Sequence, residues 1–235
     1  MVTDKTEEEQ VEALKNWFAK NGTSLVVGIV LSLGAVFGYQ TWEKSAREQA
    51  EKASDMYENL TAAVAVGPLG TLSEENKLTA NFIANQLKTE FPDSTYAHFA
   101  AMQLAKLNVE SGELDAAVQE LQWALDHQVD ESLAPLVRLR LAQVKLGQGQ
   151  HEAALALLDQ SKSGAHASAY AELRGDVYYA MDQIDDARQA YQLAVASLKE
   201  GTTKPMLNMK LEDLVLPEVE IPADEQATQT KEDTQ

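Results

Sequence analysis

The chain has 235 residues, 45% of them hydrophobic and 24% charged, the balance of a globular protein with room for a sizeable core. Its 37 acidic residues against 19 Lys and Arg give a net charge of -18. This excludes a phosphate-reading nucleic-acid binder, which needs basic patches, and the absence of cysteine excludes disulfide frameworks, thiolate metal sites and cysteine nucleophiles.

At the N-terminus, Thr6 and Glu9 have the spacing of a capping box. Val11, Leu14 and Phe18 recur at helical spacing with Trp17 beside them. Residues 1–21 therefore read as a short amphipathic helix lying on a membrane surface and ending at Asn21-Gly22; the alternative is a helical extension of the span with no role of its own. Next comes the longest uncharged run, 22 residues from Asn21 to Trp42. As a helix it is about 33 Å long, against about 30 Å of bilayer hydrocarbon. Trp17 and Phe18 precede it and Tyr39 and Trp42 close it, as interfacial aromatics do.

This predicts a transmembrane helix over 22–42. A cleaved signal peptide fits less well: Glu7, Glu8 and Glu9 make the preceding stretch acidic, the apolar run is long, and no small-x-small site follows it. Lys5, Lys15 and Lys20 on one side balance Lys44, Arg47 and Lys52 on the other, so the positive-inside rule does not orient the chain. Within the span, Gly28 with Ser32 and Gly34 with Gly38 form small-xxx-small pairs, candidates for helix packing in lipid. The alternative is the ordinary abundance of glycine in membrane helices.

From Ser45 onward alanine and leucine dominate and apolar residues recur at three and four, which predicts an all-α region. Helices are expected near 45–66, 73–90, 96–109, 113–127, 132–146, 151–161, 165–181 and 185–199, with Ser73 and Asp93 as caps and Gly67-Pro-Leu-Gly70 ending the first. No breaker lies between Gly38 and Gly67, so that first helix is able to run directly out of the membrane. Three segments repeat: Gly112–Ala117, Gly149–Ala154 and Asp182–Ala187, 37 and 33 residues apart. Seven residues before each turn stands a small residue (Ala105, Ala142, Gly175), and four after the closing alanine a large one (Leu121, Leu158, Tyr191). A small residue lets paired helices approach and the large one fills the groove between them.

The pattern resembles degenerate tetratricopeptide repeats. Ala101, Arg138 and Ala171 stand where that family has an aromatic, and the proline after the second helix is missing. An earlier half-repeat runs through Ala80, Ala84 and Leu87 to Phe91-Pro92. The resemblance implies an α-solenoid over 43–216 whose first helices line a concave face. Carried over by position, Met102, Lys106, Gln143, Leu146, Asp176 and Tyr179 form a candidate partner groove. The remainder, 217–235, is acidic and proline-punctuated, and reads as a disordered tail.

No catalytic, metal or cofactor site is visible. His98, His127, His151 and His166 form no His-Glu-x-x-His and read as solvated residues near helix ends or turns. Asp182, Asp185 and Asp186 lack the calcium-loop pattern and suit helix capping. No P-loop, Gly-x-Gly-x-x-Gly or Gly-x-Ser-x-Gly is present, so neither an enzyme nor a small-molecule substrate is expected.

Segment 9–22, followed by the glycine-containing span and Tyr39-x-x-Trp42, resembles the start of YfgM-type ancillary subunits of the bacterial Sec translocon. Segments 171–195 and 206–214 are similar to that family's last repeat and C-terminal segment. The resemblance implies a cytoplasmic N-terminus, one inner-membrane span and a periplasmic repeat domain. The implied partners are Sec translocon subunits and a membrane-anchored prolyl-isomerase-type chaperone, in the service of newly exported proteins. A cell-envelope assembly or division adaptor, and a cytoplasm-facing signalling adaptor, are the alternatives.

Overall fold

The computed structural model describes residues 7–65, 72–127, 129–159 and 162–214. Thr6, the Gly67–Gly70 loop and the 217–235 tail lie outside them. Among the described residues there are α-helices and no strand: α1 (Glu7–Ala63), α2 (Glu74–Glu90), α3 (Thr95–Glu110), α4 (Leu114–Asp126), α5 (Ala134–Gly147), α6 (His151–Leu157), α7 (Ala167–Ala180), α8 (Ile184–Ala196) and α9 (Pro205–Glu212).

Helix α1 is one unbroken helix of 57 residues, about 85 Å long. The expected end at Asn21-Gly22 is not there. Asn21 donates its side-chain amide back to the Trp17 carbonyl at 3.2 Å, and the helix continues. A glycine inside a helix costs about 1 kcal/mol, whereas breaking the hydrogen-bond ladder at the edge of a bilayer strands backbone groups at several kcal/mol each. The apolar stretch has mean hydropathy 1.8 and none of it is buried against the rest of the chain. Beyond the apolar stretch the helix runs on, and only at Ala53 and Leu60 does it enter a protein core.

The rest is a succession of antiparallel hairpins. Ser73 accepts from the Asn76 amide at 3.2 Å and opens α2. Ser94, not the expected Asp93, opens α3 by accepting from the Ala97 amide at 3.1 Å; Ser94 has the extended backbone (φ -82°, ψ 144°) that an N-cap requires. The three predicted repeat turns are alike. Gly112, Gly149 and Asp182 have φ of 79°, 71° and 60°. After each, an amide reaches back five residues: Glu113 to Asn108 at 2.7 Å, Gln150 to Lys145 and Gln183 to Tyr178 at 2.9 Å. This is the Schellman arrangement, which satisfies the last carbonyls of α3, α5 and α7 and sends the chain back along its own helix.

Among the described residues four small cores follow in series, each shared between neighbouring hairpins, as in a solenoid. The first joins α1, α2 and α3 through Ala53, Leu60, Ala84, Leu87 and Leu104. The second joins α3, α4 and α5 and holds Ala105 with Leu121. The third joins α5, α6 and α7 and holds Ala142 with Leu158. The fourth holds Tyr191, Leu207 and Leu214. In the last hairpin the small and large residues meet directly: a Cβ on Gly175 would lie 2.3 Å from Cε1 of Tyr191. Helix α6 stops at Leu157, shorter than expected, with the Leu158 amide turning to the Leu155 carbonyl at 3.0 Å. Helix α9 was not expected as a helix. Pro205 pre-sets its first turn, and Leu207 and Leu214 cover the end of the last core.

Candidate functional site: a groove beside the long N-terminal helix

Helices α3 and α5, the first helices of two successive repeats, flank a groove of about 610 Å³. Its floor is the second core, through Ala105, Leu121 and Val144. Phe99, Met102 and Val109 form the apolar wall from α3, and Tyr57 closes one end from α1. The Tyr57 ring lies 5.6 Å from Tyr96 and 5.7 Å from Phe99, centroid to centroid, and burial raises its hydroxyl pKa above the ordinary value. The polar rim is Gln103, Lys106, Glu110, Arg140 and Gln143. Lys106 pairs with Glu110 at 3.7 Å in an exposed contact, which contributes little stability. Arg140 donates to the Gln143 side-chain carbonyl at 3.1 Å. The groove is apolar inside with a mixed-charge rim, the make-up of a surface that takes an apolar peptide segment.

Of the six residues carried over as a partner groove, Met102, Lys106 and Gln143 line this one. Leu146 instead packs on the core of α5, α6 and α7. Asp176 is engaged within the fold: it accepts from the Tyr191 hydroxyl at 2.8 Å and from Lys210 at 2.7 Å. Tyr179 stands 58% exposed at the end of α7. Sequence reading missed Tyr57, Phe99 and Arg140. The signal for Phe99 was present, since Phe99, Met102, Lys106 and Val109 recur at three and four on a stripe beside the core stripe. Tyr57 had no such signal, because it precedes the recognisable repeats.

The Asp176 neighbourhood is a clasp that fixes α9. Lys210 also bonds Glu172 at 3.1 Å, and Lys204 bonds Glu172 at 3.1 Å. Arg188 donates twice to the Leu214 carbonyl, at 3.0 and 2.7 Å. Burial alone would raise the Glu172 pKa, but the hydrogen bonds from Lys204 and Lys210 outweigh it and hold the carboxyl below its usual range. Burial would likewise lower the Lys210 pKa, and Asp176 and Glu172 outweigh it in the opposite direction. Tyr191 is driven well above the ordinary phenol value by burial and by its bond to Asp176.

The histidines correct one expectation. His98 is not solvated: it is 2% exposed, and its Nε2 donates to the His127 carbonyl at 2.7 Å, tying α3 to the end of α4. The His127 ring in turn stacks on Trp123 at 4.2 Å. Among the described residues no cluster of three His, Asp or Glu side chains is placed to hold a metal.

In the apolar stretch of α1, Gly28, Gly34 and Gly38 have no atom of the rest of the chain near a would-be Cβ. Ser32 returns its hydroxyl to the Gly28 carbonyl at 2.8 Å. The face they form meets nothing within the described residues.

Serial helical hairpins on a helix long and apolar enough to cross a bilayer define a class, and a family model described as "Tetratricopeptide repeat-like domain" matches residues 15–215. The chain is 33% identical over 210 residues to the ancillary SecYEG translocon subunit of Escherichia coli (strain K12), covering 89% of this chain and 97% of that protein. The Haemophilus influenzae protein of the same name is 31% identical, over 88% of this chain and 97% of its own length. The Neisseria gonorrhoeae one is 25% identical, over 91% and 100%. The chain belongs to the family of ancillary SecYEG translocon subunits, a non-catalytic kind of family, and its long apolar helix fits a single-pass inner-membrane protein. No solved structure matches it.

Proposed function

We propose that this protein is a membrane-tethered, non-enzymatic scaffold of the Sec translocon. On this reading α1 crosses the inner membrane with its N-terminus in the cytoplasm, and the hairpins stand on the periplasmic side. There the α3–α5 groove receives a segment of a translocon-bound partner and assists newly exported proteins. A membrane-anchored prolyl-isomerase-type chaperone is a second partner, on the strength of the family resemblance alone. Small faces such as Gly34 and Gly38 are the proposed packing surface within the bilayer.

The observation that carries the reading is the joining of a bilayer-length helix and an open apolar groove in one chain whose relatives are named translocon subunits. Tethering raises the effective concentration of a weak groove contact from micromolar toward about millimolar levels. The test is photo-cross-linking inside native membranes from a probe at Gln143, which is exposed on the groove rim. Adducts with translocon subunits support the proposal. Adducts only with envelope-assembly or division enzymes replace it with an adaptor function.

A further inference from the structure

Ten residues, Glu43–Lys52, separate the apolar span from Ala53, the first buried residue of the repeat domain, and all ten are exposed. They are helical throughout and contain neither glycine nor proline. Two exposed i,i+4 ion pairs brace them, Arg47 with Glu43 at 3.4 Å and Lys44 with Glu48 at 3.8 Å. A glycine–serine tether of this length would let the domain swing freely, and a helix does not. The same helix then supplies Tyr57 to the end wall of the groove, against Tyr96 and Phe99. Span, spacer and the end wall of the groove are therefore joined by one continuous helix. At ~1.5 Å per residue the spacer places the first domain contact, Ala53, about 17 Å beyond Trp42.

We propose that α1 is a mast that sets the height of the α3–α5 groove over the bilayer and its azimuth relative to the Gly34/Gly38 face of the span, and that the occupant of the groove is a segment of the membrane protein that packs on that face. The inference rests on the groove being a docking site, as proposed above. A freely diffusing partner would meet the groove at any angle and would gain nothing from a rigid mount. A membrane-fixed partner gains the full effective concentration when the geometry matches, and close to none when it does not.

The experiment inserts two alanines between Glu48 and Gln49 in the full-length chain in membranes. This turns the repeat domain by about 200° while raising it by only about 3 Å. The insertion lies in exposed helix outside every core, so thermal unfolding of the domain should not change. The expected result is a loss of about tenfold or more in cross-linking from Gln143. Replacing Lys44–Gln49 by glycine and serine in the same inserted chain should restore part of that yield, because the joint then swings back. An unchanged yield in the two-alanine chain overturns the mast, and so does a loss that the flexible joint fails to restore. Absence of cross-links in the unmodified chain defeats the docking reading instead, and the mast with it.

Discussion

The contact between Gly175 and Tyr191 is the tightest made by any glycine among the described residues, and it predicts the outcome of replacing Gly175 with alanine. The new methyl would sit 2.3 Å from Cε1 and 2.4 Å from Cδ1 of the ring, well inside van der Waals contact. The ring has little freedom to yield: Tyr191 is 3% exposed and its hydroxyl is bonded to Asp176 at 2.8 Å. Overpacking of this kind costs about 1–3 kcal/mol, and a displaced Tyr191 hydroxyl adds about 1 kcal/mol. The better helix propensity of alanine offsets about 1 kcal/mol. The net is a destabilisation of about 2 kcal/mol, or about 4–8 °C in Tm for a domain of this size.

The other two repeats supply the rescue. They place Ala105 in one core with Leu121 and Ala142 in one core with Leu158, so alanine is compatible with leucine across the same helix pair. Adding Tyr191→Leu to Gly175→Ala should therefore give a chain more stable than the sum of the single changes implies, by about 1–2 kcal/mol of coupling. The assay is thermal unfolding by circular dichroism of the full-length protein in detergent. A Gly175→Ala chain as stable as the parent, or a strictly additive double variant, would refute the argument.

Three further outcomes follow from the geometry. Asp182 holds the left-handed position that glycine fills in the other two turns, so Asp182→Gly should stabilise by about 0.5–1 kcal/mol while Gly149→Ala destabilises by about 1 kcal/mol, both read by denaturant unfolding. The α9 clasp sets a pH window: Glu172 lies below its ordinary 4.5, so its contribution is present above that value and is lost as pH falls through the lowered one. Lys210 lies above its ordinary 10.5, so its contribution is present below that value and is lost as pH rises through the raised one. Amide exchange in α9 should thus be slowest between the two limits and faster outside them, and Lys210→Met should speed it at neutral pH; equal protection in the two proteins would remove the clasp from the account. Changing Gly34 and Gly38 together to leucine should leave unfolding of the repeats unaltered, since neither glycine meets another part of the chain, while co-purification with membrane partners falls; unchanged co-purification would make them ordinary helix residues.

The helices were legible because their signals are local. Turn residues at Gly112, Gly149 and Asp182, and small–large pairs repeated around them, are properties of a few consecutive residues, and each turn has the backbone the pattern implied. The break at Asn21-Gly22 was misread for a physical reason: a C-cap signal valid in water loses to the need to keep every backbone group bonded beside a bilayer. His98 was misread because its partner is the His127 carbonyl, 29 residues away, and spacing carries no trace of that. The groove was half legible. Met102, Lys106 and Gln143 were carried over by position from the repeat resemblance, but Tyr57 joins them only because α1 is continuous and α3 packs against it. Asp176 faced its own C-terminal helix, a partner invisible until α9 is placed.

The most direct test of a span carrying a periplasmic repeat domain uses the absence of native cysteine. Single cysteines replace Ser111 and Thr203, both exposed, and intact spheroplasts are treated with a membrane-impermeant thiol reagent. Labelling of both sites without lysis is the predicted result. Protection that is lost on lysis would put the hairpins on the cytoplasmic side and contradict the account.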